Sequence, residues 1–374
     1  MPAITIPAFA KVNLRLHIVG KRPDGYHELR TIFQTISLHD RLTIQLLNEV
    51  RSRPKQSGGK PPHSKGAAYG GIEFECNDPA LPADRGNLAW RALDALRHEL
   101  KLKAGIHARL EKWIPAGRGL GGGSSDAAAA LIGLLHLAKR ASVAKSAGLK
   151  AGATSLRARE KAGWMEGVLP RERLLEIAAS LGADVPFFLL GGRALGIGRG
   201  DEIYPLDDIP PQTLLVVSPA DIMVPTPDAY AWFAERMKKV GAPRPVTARI
   251  GDAHRKHRKQ SGPDASGHSI GLTNAAEAHK LVRFCALCSS SQGGPLANDF
   301  EPAVFAKHPR LSRIKRELLR AGATDAALAG SGSAVFGFFP NPARARRAAR
   351  KFPYDQVFLA ETVSRIRYRK ALGM

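Results

Sequence analysis

The chain has 374 residues, 44% of them apolar, and 56 Lys and Arg against 33 Asp and Glu give a formal net charge of +23. That length suggests two domains with ample chain for a core, and the composition excludes a wholly disordered protein; the lack of repeats or heptads excludes fibrous and solenoid classes. No apolar run reaches the ~18 residues of a membrane span, the N-terminus lacks a secretion signal's basic-then-apolar pattern, and three cysteines make no disulfide framework, so a reduced, cytoplasmic protein is expected.

From Ile4 to Ile18 apolar and polar residues alternate, which puts Val12, Leu14, Leu16 and Ile18 on one strand face and Lys11, Asn13, Arg15 and His17 on the other. RPDGYH reads as a turn, and TIFQTISLHDRLTIQLL as one or two further strands. Arg51–Gly70 carries five basic residues and no acid, is rich in Pro, Gly, Ser and Lys, and reads as a mobile insertion, 51–70. NLAWRALDALRHELKL is an amphipathic helix with Asn87 as its N-cap, and HARLEKWIP is a strand leading into a glycine-rich segment.

Lys139–Lys161 carries seven basic residues and one acid; its glycines and missing apolar face make 139–166 a second expected insertion. After Pro170, RERLLEIAASLG is a helix ending at Gly182, followed by a short helix start at ADVPFFLL and then strands. TLLVVSPA is a buried strand, and PTPDAYAWFAERM opens a helix. Lys238–Lys259, with eight basic residues and one acid, falls largely in a third expected insertion, 241–270. Late in the chain LSRIKRELLRAGA (helix), AALAGSGSAVFGFF (strand, turn, strand), ARARRAARKF (helix) and DQVFLAETV (strand) alternate. The pattern is a mixed α/β chain, divided here near Leu206 into domains 1–206 and 207–374.

The strongest chemical signal is Pro115, Ala116, Gly117, Arg118, Gly119, Leu120, Gly121, Gly122, Gly123, Ser124, Ser125 and Asp126, ahead of an Ala-rich helix. The glycines let backbone approach a ligand closely, and Ser124, Ser125 and Asp126 offer N-caps. Free N–H groups and the positive helix end make such a junction an anion cradle. Without G-K-[ST] it is not a Walker A loop; without an acid about 20 residues on at a strand end it is not a dinucleotide fingerprint.

P-x-G-x-G-L-G-G-G-S-S-D resembles the phosphate-binding motif of the GHMP kinase superfamily. FAKVNLRLHIVGKRPDGYHEL, LGADVPFFLLGGRALGIGRGDEI, NDFE and LAGSGSAVFG follow the order found in its 4-diphosphocytidyl-2-C-methyl-D-erythritol kinases. The resemblance implies an α+β, two-domain GHMP kinase fold with the active site in the interdomain cleft. It implies ATP and Mg²⁺, and a cytidine diphosphate conjugate phosphorylated on its 2-hydroxyl. Residues 115–125 would bind ATP. Asp184 would be the catalytic base beside Lys11, with Asn13 near the reacting hydroxyl; Tyr26, His27 and Tyr230 would hold the cytosine, and Thr226 would touch the substrate.

Several of these residues also have a plainer reading. Lys11 and Asn13 could lie on a solvated strand face, Tyr26 and His27 could pack a turn, and Asp184 could cap the helix that Pro186 opens. Gly330, Ser331, Gly332 and Ser333 could be a hairpin turn or could close the phosphate site, as the resemblance implies. Ser125 is a candidate metal ligand; the others are not legible. Cys285 and Cys288 form a lone C-x-x-C and read as core thiols, and His254 and His257 are poor metal candidates. A homoserine or mevalonate kinase would share the glycine loop but not the R-P-D-G-Y-H turn. A nucleic-acid-binding protein would suit the charge, yet only 6% of residues are aromatic and no RNA-binding signature appears. No specific nucleic-acid partner and no membrane is expected; oligomeric state is left open.

Overall fold

A computed structural model describes residues 2–49, 71–147, 168–240 and 295–374. The expected insertion 51–70, most of 139–166 and all of 241–270 lie outside the described residues, as do Cys285, Cys288, His254 and His257.

The chain begins with a long antiparallel hairpin, β1 (Ala3–Lys21) and β2 (His27–Glu49). The run read as one or two strands is thus a single strand that pairs with β1 along one edge and with two partners along the other. Its first half pairs with β5 (Arg193–Gly198) and its second half with β4 (Ala104–Glu111). β3 (Ile72–Cys76) lies parallel to β4, β6 (Glu202–Pro205) extends β5, and β8 (Ala297–Asn298) runs parallel to β1, completing a seven-stranded sheet. Among the described residues, α1 (Leu88–Glu99), α2 (Gly122–Ala147), α3 (Arg171–Leu181) and the short α4 (Val185–Leu190) pack in this half. As expected, Asn87 caps α1, its Oδ1 accepting the Ala89 N–H at 2.9 Å. Ala127–Leu135 of α2 is buried throughout, which accounts for the unbroken apolar run there.

α2 continues to Ala147, so the first part of the excursion expected from Lys139 is helical. Ala, Lys, Arg and Ser carry no helix breaker until Gly148, and a helix already nucleated upstream extends readily through them.

A second, four-stranded sheet has the order β11-β7-β10-β9. Its strands are β7 (Thr213–Pro219), β9 (Asp325–Leu328), β10 (Val335–Phe339) and β11 (Asp355–Glu361). The period-two rule sorts their side chains cleanly. Leu215, Val217, Leu328, Val335 and Phe339 share one core with α6 (Glu301–Lys307), α7 (Pro309–Arg320) and α8 (Pro342–Ala349). Leu214, Val216, Ala327, Phe336 and Phe338 point the other way, into a core shared with Ala10, Val12 and Leu14 of β1 and with Ile114 and Leu120. That shared core seats the second sheet against the first, beside the glycine segment.

α5 (Thr226–Val240) follows β7, and the closing α9 (Arg365–Leu372) returns to the first half, where Tyr368 is buried and donates its hydroxyl to Phe188 O at 2.5 Å. No helix among the described residues is long and apolar enough to cross a membrane.

Candidate active site

Two glycine turns meet at the seam between the sheets. The first is the loop before α2, where Gly117, Gly119 and Gly121 have φ of 68°, 80° and 73°. The second is Gly330–Ser333, between β9 and β10. A Cβ on Gly119 would lie 1.9 Å from the Ala329 carbonyl oxygen, so the two backbones approach as only glycine allows. Arg118 ties them further: its carbonyl accepts the Ala334 N–H at 3.2 Å, and Nη1 donates to Ser333 Oγ at 3.0 Å. Thr226 Oγ1, at the start of α5, hydrogen-bonds Ser331 Oγ at 3.0 Å, and Met223 faces Gly117.

α2 starts at Gly122, and Ser125 N bonds Gly121 O at 2.9 Å. Ser124, Ser125 and Asp126 therefore stand inside the helix and not at its cap, a correction to the sequence reading. The positive φ of Gly121 turns the chain into the helix one residue before Gly122, ahead of the serines. The leading N–H groups of Gly122, Gly123 and Ser124 have no helical carbonyl a turn earlier to pair with. Ser125 Oγ is buried without a hydrogen-bond partner.

Lys11 lies on β1 beneath this loop, its backbone N–H bonded to Leu120 O at 2.9 Å. It and Asn13 are 4% and 2% exposed, so the polar face of β1 is not solvated here. Lys11 Nζ donates to Asn13 Oδ1 at 2.8 Å; Asn13 Nδ2 donates to Thr31 Oγ1 at 2.7 Å, and Thr31 passes the chain to Arg15 O at 2.8 Å. The ammonium also sits 5.5 Å from the Phe33 ring centroid and 3.3 Å from Asp184 Oδ2.

Asp184 occupies the N-cap position of α4 but makes no capping hydrogen bond. Its side chain, 31% exposed, turns to Lys11 instead. Both glycine turns border the pair: a Cβ at Gly121 would meet Lys11 Cγ at 3.0 Å, and one at Gly330 would meet Lys11 Nζ at 3.3 Å. An ammonium, an accessible carboxylate and a helix N-terminus thus surround one space, the set needed to deprotonate a hydroxyl next to a bound polyphosphate.

The aromatic residues are arranged differently. Tyr230 stacks on His27, with ring centroids 4.3 Å apart and planes at 14°, and takes the edge of Phe300 at 4.9 Å. Burial, and then the Asp184 charge, push the Tyr230 hydroxyl well above its ordinary pKa, while burial and Lys21 hold His27 below the usual imidazole range. Tyr26 does not join them; it is 57% exposed, with the Arg199 guanidinium 5.1 Å from its ring centroid.

Several contributors had no individual signal in the sequence. Thr31 and Phe33 come from β2 by register alone. Asn298 lies in the NDFE stretch without an assigned role; its Nδ2 donates to Leu328 O (2.8 Å) and Gly330 O (2.7 Å), holding the second turn.

Profiles of the GHMP kinases N terminal domain and of GHMP kinases C terminal match residues 87–155 and 273–356. The chain is 38% identical over 365 residues to the 4-diphosphocytidyl-2-C-methyl-D-erythritol kinase of Solibacter usitatus, covering 97% of this chain and 89% of that protein. It is 34% identical over 348 residues to the same-named enzyme of Synechococcus sp., covering 93% and 89%. A crystal structure of a 4-(cytidine 5'-diphospho)-2C-methyl-D-erythritol kinase superposes with a TM-score of 0.59 at 28% identity, covering 96% of this chain and 99% of that one. The L. major mevalonate kinase shares the fold alone, with a TM-score of 0.55 at 13% identity and 96% of each chain covered. With its two-part α+β architecture and its glycine loop, the chain belongs to the 4-diphosphocytidyl-2-C-methyl-D-erythritol kinase family of the GHMP kinases and is an ATP-dependent small-molecule kinase.

Proposed function

We propose that the enzyme transfers the γ-phosphoryl group of ATP to the 2-hydroxyl of 4-diphosphocytidyl-2-C-methyl-D-erythritol, a cytoplasmic step of non-mevalonate isoprenoid precursor synthesis. The carrying observation is the Lys11–Asp184 pair, 3.3 Å apart and bordered by both glycine turns. Asp184 accepts the hydroxyl proton. Lys11, held by Asn13, keeps that carboxylate ionised and offsets charge developing on the transferred group. The backbone amides of Gly117–Ser125 receive the β- and γ-phosphates, as helix N-termini do for anions.

ATP would enter as its Mg²⁺ complex, which would supply positive charge to offset that of the phosphates. Among the described residues no group of three or more His, Cys, Asp or Glu could hold a metal. The buried, unpartnered Ser125 Oγ is an oxygen donor of the kind a hard cation accepts, and fits as a ligand from the protein side. Tyr26, His27 and Tyr230 receive the cytosine, and Thr226 faces the substrate beside Ser331. The division near residue 206 leaves Lys11, Asp184 and the glycine loop in the N-terminal domain and gives Thr226 and Tyr230 to the C-terminal one.

ATP consumption with the cytidylyl alcohol, compared with homoserine and mevalonate, tests this reading. Turnover confined to the cytidylyl alcohol is expected; equal or greater turnover on either other alcohol would overturn it.

A further inference from the structure

Beneath the glycine loop lies a cluster that the proposed chemistry does not use. Asp40 of β2, Lys112 just after β4, and Asp126 in α2 have side chains only 0%, 5% and 3% exposed. Lys112 Nζ bridges the carboxylates, bonding Asp40 Oδ2 and, at 2.7 Å, Asp126 Oδ2. Asp40 Oδ1 accepts the N–H groups of Trp113 at 2.5 Å and Ile114 at 2.8 Å, the last residues before the loop. Asn77 Oδ1 accepts the Lys112 N–H at 2.7 Å, fixing the backbone from which the lysine reaches.

The geometry has a consequence for the loop. Asp40 grips the chain where it enters the loop, Asp126 belongs to the helix where it leaves, and Lys112 joins the two grips. The span between holds three glycines of positive φ, which are costly to order. Gly122 is wrapped by the cluster as well: a Cβ there would lie 3.1 Å from Lys112 Nζ and 3.1 Å from Ile114 Cγ2. Buried ionic clusters are poor sources of net stability, because desolvation offsets the Coulomb gain; fixing one arrangement against others is their better-attested use.

We propose that Asp40, Lys112 and Asp126 form a positioning clamp that holds the phosphate-binding loop in its ATP-receiving shape without touching ATP. The clamp preorganises backbone amides so that their ordering cost is met before the nucleotide arrives.

The proposal rests on the reading of the loop as the ATP cradle, so its test measures nucleotide affinity directly and not turnover. Binding of a non-hydrolysable ATP analogue is titrated for the wild type, for Asp126→Asn, and for the triple variant Asp40→Asn/Lys112→Met/Asp126→Leu. The triple variant replaces the buried charges with groups of similar volume and keeps an acceptor for the Trp113 and Ile114 amides. Expected is a tenfold or greater loss of analogue affinity in the folded triple variant, with cytidylyl-alcohol affinity within twofold of wild type. Asp126→Asn should lose severalfold.

Analogue affinity within twofold of wild type in Asp126→Asn would overturn the clamp even if the triple variant fails to fold. Equal losses for both ligands would also overturn it, marking the cluster as structural only. Failure of wild-type turnover on the cytidylyl alcohol would instead count against the proposed function and leave this measurement standing.

Discussion

Lys11 and Asn13 sit midway along the β1–β2 hairpin, buried in a chain of hydrogen bonds that runs through Thr31 to a backbone carbonyl. Tyr26, at the tip of the same hairpin, is 57% exposed, with the Arg199 guanidinium over its ring. The second glycine turn and the loop before α2 cover the middle of the hairpin. The end proposed for phosphoryl transfer is therefore held by contacts within the protein, which suits chemistry that depends on fixed charges. The end proposed for the base is more exposed. His27 lies against the Tyr230 face at 4.3 Å, too close to admit another ring, so a base stacking on that face must displace it.

The largest way to break this contrast is Asp184→Asn. The carboxylate makes no capping bond, so the fold should stand while turnover falls roughly 10²–10⁴-fold, the usual worth of a general base. Steady-state kinetics with ATP affinity measured alongside decide it; turnover within a few-fold of wild type would remove the base from Asp184.

Gly119→Val attacks the preformed end sterically. The new Cβ would collide with Ala329 O at a backbone angle of +80°, so the glycine turns must separate. Displacing two charge-assisted amide contacts costs about 3–6 kcal/mol, or at least about 100-fold in ATP affinity. Near-normal ATP binding by a folded variant would show that the turns do not form the cradle.

At the adaptable end, Tyr26→Ala and Tyr230→Ala should each weaken the cytidylyl substrate by about 1–3 kcal/mol, roughly 5- to 150-fold, and leave ATP nearly unaffected. Calorimetric titration of both ligands checks it. If only Tyr230→Ala has an effect, the base stacks on one ring and Tyr26 is a bystander held by Arg199.

Per pH unit, the smallest effect concerns stability. Asp126 has its folded carboxyl raised to about 8, so its contribution is fully present below the ordinary carboxylate pKa and is lost as pH rises through that value. The slope is at most about 1.4 kcal/mol per pH unit. Thermal unfolding from pH 5 to 9 should therefore fall more steeply in the wild type than in Asp126→Asn. Parallel curves would mean that Asp126 is ionised throughout.

Much of this was legible in the residues, for identifiable reasons. Alternation along β1 placed Lys11 and Asn13 together, and the glycine spacing announced a close backbone approach. Asn87 before an amphipathic run marked a cap. The closing helix α9 escaped notice because only Tyr368 and Leu372 of its residues are buried, too few to make a period stand out among basic neighbours. Ser124 to Asp126 looked like caps because their types favour that place, whereas the helix begins earlier, after Gly121.

Lys11 and His17 mark the division between what sequence determined and what only tertiary structure decided. Sequence put both on the polar face of one strand, because side chains alternate along any strand. Packing then separated them. The glycine turns, Phe33 and Asp184 enclose Lys11, whose side chain is 5% exposed, while His17 lies beyond their reach with its side chain 54% exposed against Asp299. A strand's period is local, but what covers its face comes from residues such as Gly330, more than three hundred positions away, and only the folded chain brings them there.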